Sequence, residues 1–230
     1  MAKTHAIVLF AATAAACLSS PVASAEDTGF FVDANVGKLL STYRRTDLNG
    51  QVIADLGGAA SGSALTSSSV RKDHVMWSAG VGYMLSRNFG IEASYLHLGS
   101  LRYTATGARP STDGTDPSAV SVHLDLKSRG PAVAALGVLP MSNFWEIDAR
   151  LGAYEGKTTT TFATSVGSIS DSGRLSGTST SLLAGVGTAL SVSTHCTFRV
   201  DYMRLEHLSD KAFNRSFNVD LVTAGVVFMF

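Results

Sequence analysis

The feature that most constrains this chain is a two-residue alternation of side-chain character that recurs along most of its length. In the run "WEIDARLGAY", apolar residues hold every second position from Trp145 to Ala153. The intervening positions begin with Glu146, Asp148 and Arg150. Because successive side chains of a β-strand point to opposite faces, this run predicts a strand with one apolar face and one charged face.

Seven other runs show related alternation, so the sequence predicts eight strands in an all-β, antiparallel meander. These runs are "FFVDANVGK", "HVMWSAGVGYML", "FGIEASYLHLG", "SRGPAVAALGVL", "STSLLAGVGTALSV", "FRVDYMRL" and "NVDLVTAGVVFMF". In the fourth of them, the predicted apolar face holds Ala132, Ala134, Leu136 and Val138. Charged residues make up only 16% of the chain, and glycine accounts for 22 of its 230 residues, a composition that favours strands over helices.

The connections between these runs are of two very different lengths. Three are short, after Leu85, Leu139 and Val192, whereas the segments 41–73, 99–119, 156–178 and 206–216 are long, polar and predicted to be loops. An even number of antiparallel strands with short turns at one end and long loops at the other is typical of bacterial outer-membrane barrels. In such a barrel the long loops are extracellular.

The two faces of the strands indicate which solvent lies outside. A soluble barrel keeps its apolar face inside, whereas here the bulky and aromatic residues share one face and the charged and glycine residues the other. We therefore expect lipid outside and the charges inside. Interior charges must be paired or hydrated, so the sequence predicts an ion-pair network in the lumen. Its candidate members are Asp33, Glu92, Arg129, Glu146, Asp148, Arg150, Arg199 and Asp201.

The interior of an eight-stranded barrel is about wide enough for side chains alone to fill it, so the lumen is expected to be largely plugged. A small gated channel is the alternative. An unpaired strand edge in hydrocarbon is costly, so the last strand should pair with the first, near Phe30. Pro131 cannot donate a ladder hydrogen bond, which predicts a bulge or bend there.

The N-terminal residues predict export of the chain, and the charge balance and motifs predict which ligands it does not bind. Residues 1–25 have the pattern of a signal peptide, with cleavage after Ala25, and residues 26–230 form one predicted barrel domain. Equal numbers of basic and acidic residues, 18 of each, give no net field to recruit nucleic acid. The sequence has no metal-ligand spacing and no phosphate-binding glycine motif, so neither a metal nor a cofactor is predicted.

Three stretches resemble a known family. The hairpin "MWSAGVGYMLSRNFGIEASYLHL", the strand "FRVDYMRL" and the final "AGVVFMF" resemble the OmpA-like transmembrane domain and the opacity-type porins, over nearly all of residues 28–230. The resemblance implies an integral outer-membrane protein that is exported, monomeric and in contact with outer-membrane lipid and lipopolysaccharide. It also implies that Phe228 and Phe230 belong to the signal read by the barrel-assembly machinery. The long loops, with Arg44, Arg45, Arg71 and Lys72 in the first, are candidates for binding lipopolysaccharide or a host or surface ligand.

An enzymatic alternative rests on His207, Ser209 and Asp220, which look a little like the Ser-His-acid arrangement of outer-membrane lipid A deacylases. The chain departs from that pattern at Asp210 and Leu221. In regular strands His207 would face the lumen while Asp220 faces outward. The favoured prediction is therefore a non-enzymatic barrel.

Overall fold

The computed structural model of the protein describes residues 28–41, 49–50, 64–71, 75–109, 118–210 and 215–230. The described residues form nine β-strands: β1 (Gly29–Ser41), β2 (Ala64–Arg71), β3 (Val75–Ser86), β4 (Phe89–Arg109), β5 (Ser118–Pro140), β6 (Trp145–Val166), β7 (Ile169–Ser191), β8 (Cys196–Asp210) and β9 (Arg215–Met229). Within these ranges, no helix has the length and apolar character needed to cross a membrane.

Eight of the strands close into an antiparallel ring, as the alternation predicts. The order around the ring is β1, β3, β4, β5, β6, β7, β8 and β9, and β9 then pairs with β1. At this seam Val32 lies opposite Phe228, and the Phe230 N–H donates to the Phe30 carbonyl at 2.9 Å. The predicted closure near Phe30 is therefore confirmed, and every strand of the ring has a partner on both sides.

A band of large apolar side chains covers the outside of the ring. Val81, Ile91 and Leu151 are more than half exposed, although each lies within a paired strand. Aromatic residues border the band, with Phe89 beside one short turn and Trp145 beside another. Such a surface is unfavourable in water and matches the hydrocarbon core of a bilayer. The predicted eight-stranded transmembrane barrel is confirmed.

The prediction for the faces of β5 is wrong. Ala132, Ala134 and Leu136 point inward and are buried, whereas Val133 is 62% exposed on the outer face. Arg129 shares the parity of Val133 and is exposed too, so it does not lie in the lumen. The physical reason is that positions 132–139 are all small or apolar, so the alternation there carries no contrast from which to choose a face.

Much of the predicted loop sequence also forms strand. β4 and β5 continue through 100–109 and 118–128, and β6 and β7 are joined by a turn at Gly167, which has a φ of +58°. β2 pairs with the outer part of β4, in line with β3. These segments are rich in threonine and serine, and the many β-branched threonines favour strands even where neither face is apolar. The barrel wall therefore extends beyond the apolar band at the end opposite the short turns.

Two bulges alter the parity of the strands. In β4 the register with β5 shifts between His97 and Ser100, where Gly99 has a φ of +80°. In β8 the register with β9 shifts between Leu205 and Leu208, around His207 with a φ of +60°. The bulge near Pro131 thus lies in the neighbouring strand rather than at the proline, where the register with β6 is unchanged.

Candidate functional site

Six charged side chains meet inside the barrel and form what we call the ion layer. They are Asp33 of β1, Glu92 of β4, Asp148 and Arg150 of β6, and Arg199 and Asp201 of β8. All six are buried, with exposures of 2% to 6%. They converge because each occupies the inward parity of its strand, opposite the bulky apolar residues on the outer face.

Arg150 forms three ion pairs in this layer. Its Nη2 lies 3.0 Å from Asp201 Oδ1 and 3.4 Å from Asp148 Oδ1, and its Nε lies 3.6 Å from Glu92 Oε2. The guanidinium is planar and carries five N–H groups, so a single arginine can contact carboxylates from three strands. Arg150 thereby joins β4, β6 and β8 across the lumen.

Arg199 joins the remaining carboxylates. Its Nε lies 3.2 Å from Asp201 Oδ2, its Nη2 3.5 Å from Asp33 Oδ1 and its Nη1 3.7 Å from Glu92 Oε2. Glu92 and Asp201 therefore each contact both arginines. The two guanidiniums and four carboxylates form one continuous network, which carries a formal excess of negative charge.

Uncharged polar residues complete the ion layer. The Asn35 amide donates to Asp33 at 2.5 Å and to Ser78 Oγ at 3.2 Å, and the Thr223 hydroxyl donates to Asp201 at 3.5 Å. Gly187 lies opposite both Asp148 and Asp201 in the strand register, and a Cβ there would lie 2.7 Å from Asp148 Oδ2. The alternation in β7 predicts this glycine on the polar face. The space that it leaves for the carboxylates becomes evident only from the register.

Two predicted members lie outside the network. Glu146 points toward the lumen and lies near the short turns, but none of its described contacts is an ion pair within the layer. Arg129 is on the outer surface, as described above. The other six predicted residues are brought together by the structure.

A cavity of about 550 Å³ lies between the ion layer and the end with the short turns. Asp148, Arg199 and Glu146 form part of its lining, together with apolar side chains such as Phe31 and Leu136. Water entering from this end can thus approach one side of the ion layer. The cavity ends at the layer.

The opposite side of the ion layer is apolar. Leu96 and Leu205 each lie four residues beyond an acidic member of the layer, on the side of the long extensions, and both are buried. We call this cluster the apolar layer, and its largest members are Met76, Leu96, Leu98, Tyr154, Leu183, Met203, Leu205, Leu208, Val219 and Leu221. The interior predicted from the sequence, with charged and small residues, does not include this layer. Leucines at the same parity as the charged residues, such as Leu96 in β4 and Leu205 in β8, would have been the available signal.

The proposed hydrolytic residues are not arranged as a triad in the described contacts. The Asp220 carboxylate accepts a hydrogen bond from the Tyr202 hydroxyl at 2.8 Å and lies 3.9 Å from Arg204. The bulge turns His207 outward, so the expectation that it faces the lumen is wrong. Its backbone N–H donates to the Asn218 side chain at 3.2 Å. The side chain of Ser209 lies outside the described part of the structure.

The remaining predicted sites lie at the ends of the chain. Phe230 is exposed, and its ring packs edge-to-face on Phe228 with centroids 5.1 Å apart. Ala25 and the rest of the predicted signal peptide lie outside the described residues, as do Arg44, Arg45 and Lys72. Among the described residues, no group of three or more histidine, cysteine or carboxylate side chains is placed to hold a metal ion.

Comparison with known proteins gives one family. The model of the OmpA-like transmembrane domain matches residues 35–230. No curated protein matches the sequence.

Several solved structures are similar in overall form. Ail, the attachment invasion locus protein of Yersinia pestis, is 13% identical, with 90% of this chain and 99% of that chain covered and a TM-score of 0.46. The N-terminal β-barrel domain of Pseudomonas aeruginosa OprF is 10% identical, with 89% and 98% covered and a TM-score of 0.44. The outer membrane protease OmpT of Escherichia coli is 10% identical, with 88% and 94% covered and a TM-score of 0.42.

Proposed function

Because this chain belongs to the family of OmpA-like transmembrane domains and is an outer-membrane β-barrel, we propose that it serves as a non-enzymatic barrel with a plugged lumen. In this proposal the wall anchors the protein in the membrane, and the strand extensions at the far end present the protein to the cell exterior. The single observation that carries it is the ion layer, which crosses the lumen from β1 to β6.

The ion layer obstructs the lumen through its geometry. Arg150 and Arg199 reach carboxylates on other strands, so the guanidiniums occupy the space along the axis. Moving either aside would leave buried carboxylates without their cations, which is strongly unfavourable in a protein interior. We therefore do not expect thermal motion of these two side chains to open a pore.

The apolar layer adds a second barrier in series. Leu96, Leu205 and Leu221 pack together beyond the ion layer, with exposures of 2% or less. An ion crossing this region would lose its hydration shell without gaining polar ligands, at a large cost in free energy. The 550 Å³ cavity therefore forms a vestibule rather than one end of a channel.

Conductance across a planar bilayer tests the plugged lumen. We expect the folded wild-type protein to give no steady current, with a general porin reconstituted in the same way as the positive control. A steady, stepwise current from the wild-type protein would reject the plug and favour the alternative of a small gated channel. Heat-dependent gel mobility on the same sample verifies that the barrel is folded and inserted.

The absence of hydrolytic activity is tested separately. Asp220 is held by Tyr202 and Arg204, which supports a structural role for this carboxylate. Mass spectrometry of lipid A from cells expressing the wild-type protein should show no loss of an acyl chain. A deacylated product that disappears in His207→Ala would overturn the non-enzymatic part of the proposal.

The proposal includes export and assembly. We expect cleavage after Ala25, which N-terminal sequencing of the membrane-inserted protein would test. The exposed Phe230 ring, with Phe228 against it, is available to the barrel-assembly machinery as a terminal signal. Deletion of Phe230 should lower the inserted fraction in cells, while refolding of the purified protein in detergent remains possible. Since every strand of the ring is paired on both sides, we also propose that the protein is a monomer.

A further inference from the structure

Two cations on the outer surface of β5 and β6, Arg129 and Lys157, form no ion pair with an acidic residue in the described structure. Arg129 of β5 lies directly opposite Lys157 of β6, and His97 of β4 lies directly opposite Arg129. These three residues, which we call the basic row, point away from the lumen. Arg129 and Lys157 are exposed and His97 is half-buried.

The acidic residues on the same surface form no ion pair with the basic row in the described structure, including the exposed Glu155, which lies two residues before Lys157 on the outer face of β6. On the same surface Asp125 is shared by Arg102 at 3.4 Å and Lys127 at 3.6 Å. Within the described residues, neither Arg129 nor Lys157 forms an ion pair. Like charges directly opposite on adjacent strands repel each other, so this arrangement is unfavourable unless an anion lies between or beside them.

The basic row lies where the apolar band ends. From Leu139, beside the short turn, to Arg129 is ten residues, which at about 3.3 Å each and a tilt of about 40° corresponds to a rise of about 25 Å. That rise equals the usual height of the lipid-facing band of such barrels. Val133, between the two, is exposed to lipid. Arg129 and Lys157 therefore reach the headgroup level of the leaflet opposite the short turns, which is the outer leaflet.

The surroundings of the basic row suit a lipid headgroup. The His97 ring stacks on Trp77, with centroids 5.7 Å apart and planes inclined by 9°. The Gly99 N–H donates to His97 Nδ1 at 3.1 Å, which leaves Nε2 as the protonated donor of the ring. Indole rings favour the interface between hydrocarbon and headgroups, so Trp77 lies at the depth where an acyl chain meets its headgroup.

From this placement we propose that the basic row binds a phosphate group of lipopolysaccharide in the outer leaflet. Arg129 and Lys157 supply the charge, His97 a further N–H donor, and the apolar band below them contacts the acyl chains of the same lipid. This inference rests on the outer-membrane location of the proposed function, but not on the plugged lumen.

A lipid-binding experiment with a matched control tests the site. Folded protein in detergent is titrated with bis-phosphorylated lipid A, and bound lipid is counted by native mass spectrometry. We expect Arg129→Gln with Lys157→Gln to weaken binding about thirtyfold, since each basic side chain near a lipid surface contributes about fivefold. The control is Arg204→Gln, because Arg204 also faces outward but is already paired with Glu206 and Asp220. It should leave binding unchanged.

Two further titrations identify the bound group. Lipid A from which the phosphates have been removed should bind to the wild-type protein as weakly as bis-phosphorylated lipid A binds to the double variant. Inorganic phosphate, added with phosphatidylcholine, should not compete. Equal binding of the wild-type and double variant, equal loss in Arg204→Gln, or tight binding of dephosphorylated lipid A would each overturn the proposal. Effective competition by inorganic phosphate would show a free-anion site and reject the lipid.

Trp77 provides an independent readout. The chain has only two tryptophans, and Trp145 lies beside a short turn, so Trp145→Phe leaves Trp77 as the single reporter next to the basic row. Bis-phosphorylated lipid A should shift its emission, and the double variant should abolish the shift. Trp145→Phe and the Arg129→Gln, Lys157→Gln double variant change exposed residues, and heat-dependent gel mobility verifies that each variant is folded. A steady current through the wild-type protein would contradict the plugged lumen, but it would not affect this test of lipid binding.

Discussion

Two of the arginine–carboxylate clusters in the described part of the barrel differ in their surroundings. In the lumen, Arg150 is 3% exposed and contacts three buried carboxylates. On the outer wall, Arg204 is 44% exposed, with Glu206 at 3.5 Å and Asp220 at 3.9 Å. The distances are similar, so distance alone does not decide what the contacts contribute. The lumen cluster is costly to break because its charges are out of water, whereas the outer cluster is screened.

The largest effect is expected from removal of one lumen cation. Arg150→Met keeps much of the side-chain volume but leaves Glu92, Asp148 and Asp201 with an even larger excess of negative charge. We expect the free energy of unfolding to fall by about 3–5 kcal/mol. Urea titration followed by gel mobility of the folded band measures the loss. A loss below about 1 kcal/mol would show that the ion layer is hydrated and open.

The apolar layer should show a comparable or slightly smaller effect. Leu205→Ala deletes a fully buried side chain from this layer, and core truncations of this type cost about 2–5 kcal/mol. The matched control is Val200→Ala on the same strand, where the side chain is half exposed to lipid and its removal leaves no internal cavity. Equal losses in the two variants, measured by the same urea titration, would indicate that the lumen is not packed above the ion layer.

The space around the carboxylates is tested by a single added methyl group. Gly187→Ala places a Cβ within 2.7 Å of Asp148 Oδ2 and closer still to Asp201, so the carboxylates must shift. We expect a loss of about 1–3 kcal/mol in the free energy of unfolding. In Gly137→Ala the nearest atom, the Ala149 carbonyl oxygen, would lie 3.9 Å away. That variant should unfold like the wild type, and a loss as large as for Gly187→Ala would argue against this register.

The smallest effect is expected in the outer cluster. Arg204→Met removes the same group as Arg150→Met, from a site where exposed pairs contribute about 0–1 kcal/mol. The two substitutions together therefore compare one chemistry in two environments. If Arg204→Met destabilised the barrel as much as Arg150→Met, burial would not be the reason for the strength of the ion layer.

The ion layer could be predicted from the sequence where a charged residue lies between two apolar residues. Glu92 lies between Ile91 and Ala93, and Arg150 between Ala149 and Leu151, so the inward face is unmistakable. In β5 neighbouring residues differ little in polarity, and the predicted inward and outward faces are the reverse of those in the structure. The alternation of inward and outward side chains also shifts by one residue after a bulge, as at His207. The sequence does not predict this shift, because a bulge depends on pairing with another strand rather than on local sequence.

The extent of the strands was harder to predict than their number. Residues 156–178 are polar on both faces, so hydropathy gives no alternation, yet β6 and β7 pair without a register shift from Trp145 opposite Leu190 to Val166 opposite Ile169. Backbone pairing with a strand already in place carries the ladder beyond the membrane. The apolar layer was missed for a different reason. The sequence argument assigned only charged and small residues to the lumen, whereas leucines pack together in this part of the lumen as they do in any protein core.

The assignment of faces underlies the whole account, and β5 tests it most directly. In a background of Trp77→Phe and Trp145→Phe, a single tryptophan is introduced by Val133→Trp or by Leu136→Trp. Leu136 lines the 550 Å³ cavity, which leaves room for the larger ring. In vesicles with brominated acyl chains, tryptophan fluorescence should be strongly quenched in Val133→Trp and nearly unaffected in Leu136→Trp. Stronger quenching in Leu136→Trp would mean that lipid meets the face assigned here to the lumen, and the account would be wrong.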